Sequence, residues 1–575
     1  MNLNIRFICL AIFLAIPWVN PFSPGPSNDV VSLILSVGCV GLLLLIFPYR
    51  GGLSQLGKIF FVIFCVLFII HWSFTGGRYG SEFIGLLAAA IIFYVAVLCG
   101  FGIVEYSANF KKVNENFQRG VNNPLDWLAY SWLLIALLSS FIGILQYFGF
   151  ADYFKPWVNQ TPRIGEAFAN LRQRNLFATL TGIGLISLLG IIRFKRITCF
   201  KSRLMIGVFV YGSVLILALG NAVSGSRTGL FEWILVLILA IWWDFSSKQG
   251  MGVIALKAVL IYFLSVISLP WILYLLTGVK VDLAFNRLIE FPGCESRKFL
   301  WLNVFELIEK KPWVGWGWGE LDYAQFFTLF QSQRFCGAFD NAHNLPLHLA
   351  VEFGIPTAII ICGFFCWLVW RAKPWLDTNP VKQTIWGVLA LIAFHSLLEF
   401  PLWYGSFQIT MGICVGVLWK YSVKKPESED GFSRYGVKNS IFSYCLSGVC
   451  LLLMVLSGFD YYGVRQVYLP LSERAHNYKI NTVDRIQSTW IFSDQAKFAL
   501  LMSVKVVDEN NAHAIYRLAH DMLHYSPEPR VIERLIEIAS ILNLDDDVNF
   551  YKLRYMAAYP EAYEKWLAIR NKYNH

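Results

Sequence analysis

What most limits the fold of this chain is the recurrence of long apolar runs without charge; Phe83–Ile103 is one of them. About 20 such residues in helical form span the hydrocarbon core of a bilayer. A helix is the form that satisfies its own backbone groups there. Composition agrees: 56% of the 575 residues are hydrophobic and 15% charged, against about 25% charged in soluble domains. The formal net charge of +10 is no sign of nucleic acid, because basic residues collect in the cytoplasmic loops of membrane proteins. No nucleic-acid partner is expected. No Cys-x-x-Cys zinc pattern, P-loop or dinucleotide fingerprint occurs in the sequence. The fold class read is an all-α polytopic membrane protein.

About thirteen transmembrane helices are read, with ends near 5–20, 29–48, 58–73, 83–103, 127–148, 175–192, 204–222, 229–243, 252–276, 345–370, 384–400, 405–421 and 440–459. The first is read as a retained span: Pro17, Trp18 and Pro21 follow its apolar run where a signal peptide has small residues. Lys and Arg set the orientation. Arg193, Lys195, Arg196, Lys201 and Arg203 share one side with Lys111, Lys112 and Arg119, with Arg371, Lys373 and Lys382, and with Lys420, Lys424, Lys425, Arg434 and Lys438. Loops on the other side, such as Asn20–Asp29 and Pro401–Gly405, have no Lys or Arg. The N-terminus is therefore expected in the cytoplasm.

Two segments are then exported. Residues 1–459 form the transmembrane core, including a large outer loop at 277–344, and residues 460–575 form a soluble helical module. In the module apolar positions recur at helical spacing in Ala512–Leu523 and Val531–Leu542, with breaks at Pro527, Pro529 and Pro560, a pattern that looks repeat-like. Of twelve cysteines, two lie in the outer loop, Cys294 and Cys336. In an oxidising compartment they are a disulfide candidate.

Polar residues gather at the outer face from five parts of the chain. Asn170–Asn175 (NLRQRN) puts Gln173 and Asn175 at the mouth of an apolar span; Arg172 and Arg174 are equally well explained by snorkelling. Gly225–Gly229 (GSRTG) is so short that Arg227 must lie at the membrane surface, where a guanidinium offers a planar fork to phosphate oxygens. In the outer loop Arg297, Trp301 and Phe305 share a helical face ahead of PWVGWGWG, a Trp-rich tail expected at the headgroup level. Arg297 is a second phosphate candidate, or a plain solvated arginine. Asp340, Asn341, His343 and Asn344 open the next apolar helix; imidazole is the usual general base for a hydroxyl, with Asp340 as its orienting partner, although a histidine here also suits a cap. His348 faces elsewhere, and no metal site is expected. In His395–Tyr404 (HSLLEFPLWY), His395 and Glu399 are spaced i, i+4, fitting either function or a buried pair that fixes packing. Tyr404 lies just outside.

GSRTG, the R-x-x-x-W helix before PWVGWGWG, DNAHN before a span and HSLLEFPLWYGSF together resemble the PglL-type bacterial protein O-oligosaccharyltransferases, of the superfamily of O-antigen ligases and Wzy polymerases. The resemblance implies a GT-C-like glycosyltransferase in the bacterial inner membrane, with its site and C-terminal module periplasmic. It implies an undecaprenyl-diphosphate-linked glycan as donor, an exported acceptor such as a pilin, and no cofactor. It carries the essential histidine to His343, the outer arginines to Arg227 and Arg297, the glutamine to Gln173 and the tyrosine to Tyr404. Arg174 departs from the pattern, where the family commonly has proline. Ligation of O-antigen or Wzy-type polymerisation would use the same chemistry on another hydroxyl. A lipid-linked glycan transporter is more distant, since polar groups gather at one face without the mid-membrane breaks of transporters.

Overall fold

The computed structural model describes residues 3–22, 25, 29–50, 66, 80–113, 124–193, 202–247, 250–281, 293–294, 296–422, 432–504 and 509–573. Among them every regular element is helical and no strand occurs. The expected span at 58–73 lies outside the described residues, apart from residue 66. In chain order the helices are α1 (Leu3–Val19), α2 (Val30–Ile46), α3 (Ser81–Val113), α4 (Pro124–Tyr147), α5 (Arg174–Arg193), α6 (Arg203–Ser224), α7 (Arg227–Ser247) and α8 (Met251–Thr277). Then come α9 (Arg297–Lys310), α10 (Leu321–Phe327), α11 (Leu345–Phe353), α12 (Ile355–Ala372), α13 (Pro380–Ser396), α14 (Gly405–Ser422) and α15 (Phe432–Arg465). The C-terminal stretch adds α16 (Thr482–Ile486), α17 (Ser493–Ser503), α18 (Glu509–Met522), α19 (Pro529–Ile541), α20 (Asp545–Ala558) and α21 (Pro560–Tyr573).

Among the described residues eight helices are long and apolar enough to cross a bilayer, and α1 and α2 are shorter apolar helices. The chain is thus an all-helical polytopic membrane protein. It divides into two compact units, one of Met1–Phe61, Ala88–Glu290 and Leu368–Val455, the other of Val62–Leu87, Phe291–Trp367 and Leu456–His575. From Phe291 on, the large loop therefore shares a unit with the C-terminal module, whereas the sequence reading assigned the whole of 277–344 to the membrane core.

The first unit is built around α5, whose apolar window is 89% buried against α4, α6, α7 and α13. Helices in lipid associate through close packing and small residues. Gly184 of α5 meets α4 so tightly that a Cβ there would stand 2.5 Å from that of Ala136.

In the second unit, α9, α10 and α11 enclose a core of Leu300, Val304, Leu307, Leu321, Phe339 and Val351. A second core, centred on Leu535, Ile536 and Tyr555, joins α18–α21. Pro529 and Pro560 open α19 and α21 as first-turn residues, where the missing N–H costs nothing. The expected span at 345–370 is two helices. It breaks at Gly354 (φ 85°), whose backbone lies against that of Trp313: a Cβ there would stand 2.2 Å from the Trp313 carbonyl oxygen. Around this contact Trp316 N–H donates to Val351 O (2.9 Å), Gly317 N–H to Glu352 O (2.9 Å) and Ile355 N–H to Pro312 O (2.8 Å). The span proper then runs Ile355–Leu376.

Candidate functional site

In the membrane unit the chain enters α5 through a loop locked by buried amides. Gln146 Nε2 donates to the carbonyls of Asn159 (2.9 Å) and Ala169 (2.8 Å). Asn170 Nδ2 donates to those of Val19 (2.8 Å) and Trp157 (2.9 Å). Arg172, at φ 59°, donates to Pro21 O (2.7 Å) and lies 3.3 Å from Asn159 Oδ1. Arg172 is thus engaged in holding this loop to the end of α1.

The next residues face a carboxylate. Asn175 Nδ2 donates to Glu399 Oε1 at 2.8 Å, and Gln173 Nε2 lies 3.5 Å from Glu399 Oε2. Ser226 Oγ donates to Asn175 Oδ1 (2.6 Å) and accepts from Gly229 N–H (3.1 Å), capping the first turn of α7. The tight turn at Gly225 (φ 59°) then delivers Arg227 exposed, with no side-chain partner among the described residues. One turn deeper, Thr179 Oγ1 donates to Glu232 Oε1 (2.7 Å) and lies against His395 Nδ1, itself 3.6 Å from Glu232. Glu232 and His395 are both 0% exposed. α13 ends at Ser396, and Glu399 lies in the following turn, its N–H donating to His395 O (2.8 Å). His395 turns to Glu232 and Thr179, Glu399 to Asn175 and Gln173. Tyr404 stacks on Phe400, with ring centroids 6.1 Å apart.

In the second unit, the DNAHN stretch is a loop pinned from below. Trp301 Nε1, one turn along α9 from Arg297, donates to Ala342 O at 3.0 Å. His343 N–H donates to Asn341 Oδ1 at 2.9 Å. Asn344 takes the cap of α11, its side chain accepting from Leu347 N–H (3.0 Å). The cap of α11 is thus filled by Asn344, and His343 beside it is half-buried at φ 50°. Asp340 is exposed and makes no side-chain hydrogen bond among the described residues, so Asn341 and not Asp340 takes the His343 N–H. Arg297 is half-buried at the start of α9, Trp301 likewise on that helix, and Phe305 is exposed. A disulfide joins Cys294 to Cys336, Cα atoms 5.4 Å apart, across the base of the same loop. His348 is buried, its Nε2 3.3 Å from Glu352 Oε2. Among the described residues no three His, Cys, Asp or Glu side chains gather as a metal-binding group.

Sequence reasoning missed Thr179, Ser226 and Glu232. A signal existed for Glu232, a lone carboxylate in an apolar span, which is expensive and rarely idle. Ser226 carried one too, a hydroxyl residue just ahead of an apolar helix in the GSRTG turn; Thr179 carried none, because a hydroxyl in a transmembrane helix usually bonds its own backbone.

Known proteins share these segments. The model described as "O-Antigen ligase" matches residues 212–362, the stretch that holds Arg227, Arg297 and His343. "Protein glycosylation ligase" matches 167–189, with Gln173 and Asn175, and "Virulence factor membrane-bound polymerase, C-terminal" matches 383–573. A "General O-oligosaccharyltransferase" of Acinetobacter baylyi is 22% identical over 489 residues, covering 82% of this chain and 79% of that protein. A "ComP-specific O-oligosaccharyltransferase" of the same organism is 24% identical over 449 residues, 75% of this chain and 74% of that one. Over most of its length the chain is thus similar to protein O-oligosaccharyltransferases, and its segments match O-antigen ligase and protein glycosylation ligase families.

Proposed function

We propose that the protein transfers a preassembled glycan en bloc from undecaprenyl diphosphate to Ser or Thr hydroxyls of exported proteins such as pilins, at the periplasmic face of the bacterial inner membrane. The observation that carries this reading is the geometry of His343. It is a half-buried residue at φ 50°, next to the helix cap Asn344, its backbone held by Asn341 and Trp301, on the helix-loop unit that begins with Arg297. The two curated relatives named above are O-oligosaccharyltransferases, which supports a lipid-linked donor and a protein acceptor. With about thirteen spans and a cytoplasmic N-terminus, the loop and module are exported.

In the mechanism, the acceptor hydroxyl attacks the anomeric carbon while His343 takes its proton. The bond from that carbon to the diphosphate oxygen breaks, and undecaprenyl diphosphate leaves with the electron pair. Arg227 and Arg297 bind the diphosphate and stabilise the charge growing on it; Gln173, Asn175 and Glu399 order the donor side, and Tyr404 supports it. Single displacement inverts the anomeric centre. The arginines supply the charge that a divalent cation supplies elsewhere, so turnover is metal-independent. The test is co-expression with a lipid-linked glycan pathway and candidate pilins, followed by intact-mass analysis. His343→Ala should lower turnover by about 10²–10⁴-fold with donor binding retained, and EDTA should leave the wild-type rate unchanged. Near-normal glycosylation by His343→Ala would sink the assignment of the base, and activity lost to EDTA and restored by a divalent ion would remove metal independence.

A further inference from the structure

α10 is seven residues long, and isolated helices below about 12–15 residues are marginal in water. Its neighbours hold it from two sides. Leu321 and Ala324 are buried in the core of α9 and α11, together with Phe339 and Ala342. Phe326 is buried in the other core, with Phe498, Ile515 and Leu535 of the C-terminal helices. Those helices also grip both ends. At the start, His524 Nδ1 lies 2.6 Å from Glu320 Oε2, and its ring stacks on Tyr323 with centroids 4.0 Å apart. At the end, Arg554 Nε donates to Phe327 O at 2.7 Å. Its guanidinium lies 3.3 Å from the centroid of the Phe550 ring and 4.9 Å from that of Phe327. Carbonyls in the last turn of a helix lack an intrahelical donor, so the guanidinium acts as a cap.

Between these grips Gln325 is buried and reaches the other way. Its Nε2 donates to Gly337 O (2.7 Å) and its Oε1 accepts from Phe339 N–H (3.1 Å). Those two residues lead directly into Asp340–Asn344. A continuous set of contacts within one compact unit therefore runs from α18 and α20, through α10, to the backbone that carries His343.

We propose that the C-terminal module acts as the clamp of the His343 loop, with Arg554 and Gln325 as positioning residues; the catalytic consequence rests on the assignment of His343 as the base. Amide hydrogen exchange on the full-length protein in detergent tests the clamp without an activity assay. Gln325→Ala removes both bonds to the loop, and exchange across residues 337–343 should quicken by about tenfold or more while α19 keeps its protection. Arg554→Ala should quicken the same residues. Should it also loosen α19, the module core has been disturbed and Gln325→Ala alone decides. In glycan transfer both variants should lose about 10–100-fold in kcat with KM for the lipid donor changed by less than about twofold. A general loss of fold would not give that split. Unchanged exchange at 337–343 in Gln325→Ala, or in Arg554→Ala with α19 still protected, overturns the clamp; quickened exchange with unchanged kcat overturns its catalytic role. A wild type inactive with every donor removes the functional reading instead, and the exchange result still decides whether the module holds the loop.

Discussion

His343 stands at φ 50°, a region a non-glycine residue enters rarely and at a cost of about 1–3 kcal/mol. It is kept there by contacts its immediate neighbours make: Asn341 takes its N–H, and Trp301 takes the carbonyl before it. Farther along the loop, Glu306 accepts from the N–H groups of Gln331 (3.0 Å) and Ser332 (2.9 Å). Burial raises the pKa of this carboxyl, but these bonds, the Ser332 hydroxyl and nearby Lys310 outweigh it and hold the pKa below the ordinary value. A depressed carboxyl pKa adds stability above the unfolded-state value, about 4.3, that is lost as pH falls through the folded one. In thermal unfolding at neutral pH the wild type should therefore exceed Glu306→Gln, and the gap should close below about pH 4. A gap independent of pH would mean that the carboxylate charge plays no part. The residue types of the DNAHN stretch were legible in the sequence; that Asn341 and not Asp340 holds the histidine was not, because the loop's turn decides which side chain reaches back.

The Trp/Gly tail shows what an element can hide in sequence. PWVGWGWG reads as an interfacial segment, yet Gly315, Gly317 and Gly319 all have positive φ, and the segment is hydrogen-bonded to the junction of α11 and α12. Two backbones approach there with no room for a Cβ: at Gly315 one would stand 2.3 Å from Glu352 C, as at Gly354 against Trp313. Gly354→Ala should cost about 2–4 kcal/mol, since it adds a strained backbone conformation to a steric clash. Gly363→Ala, in α12 with nothing within 4 Å, is the control and should leave the melting temperature unchanged or slightly raised. Equal melting temperatures for the two variants would refute the close approach. No hydropathy pattern reveals this break, because the residues on both sides of Gly354 are apolar and the partner lies some 40 residues earlier in the chain.

For the molecule as a whole, the Cys294–Cys336 bond spans 42 residues and encloses α9 and α10. Closing a loop of that length should contribute about 2–4 kcal/mol. Cys294→Ser, Cys336→Ser and the double variant should lower the unfolding temperature by the same amount, and reductant should lower that of the wild type alone. Additive effects of the two single variants would separate the cysteines. Sequence by itself determined that the chain is helical and lives in a membrane, because lipid offers backbone groups no other partner and the apolar runs are long enough to cross it. It also marked which polar motifs to take as candidates, because a charge or amide at the end of an apolar span has few inexpensive explanations. Only the tertiary structure decided who holds whom: Glu399 to Asn175, Ser226 to Asn175, Glu232 to Thr179 and His395, Gln325 to the loop before His343, and the C-terminal helices to α10. Those pairings join residues from about 10 to more than 200 positions apart, and a hydrogen bond between distant side chains leaves no periodicity in the chain to read.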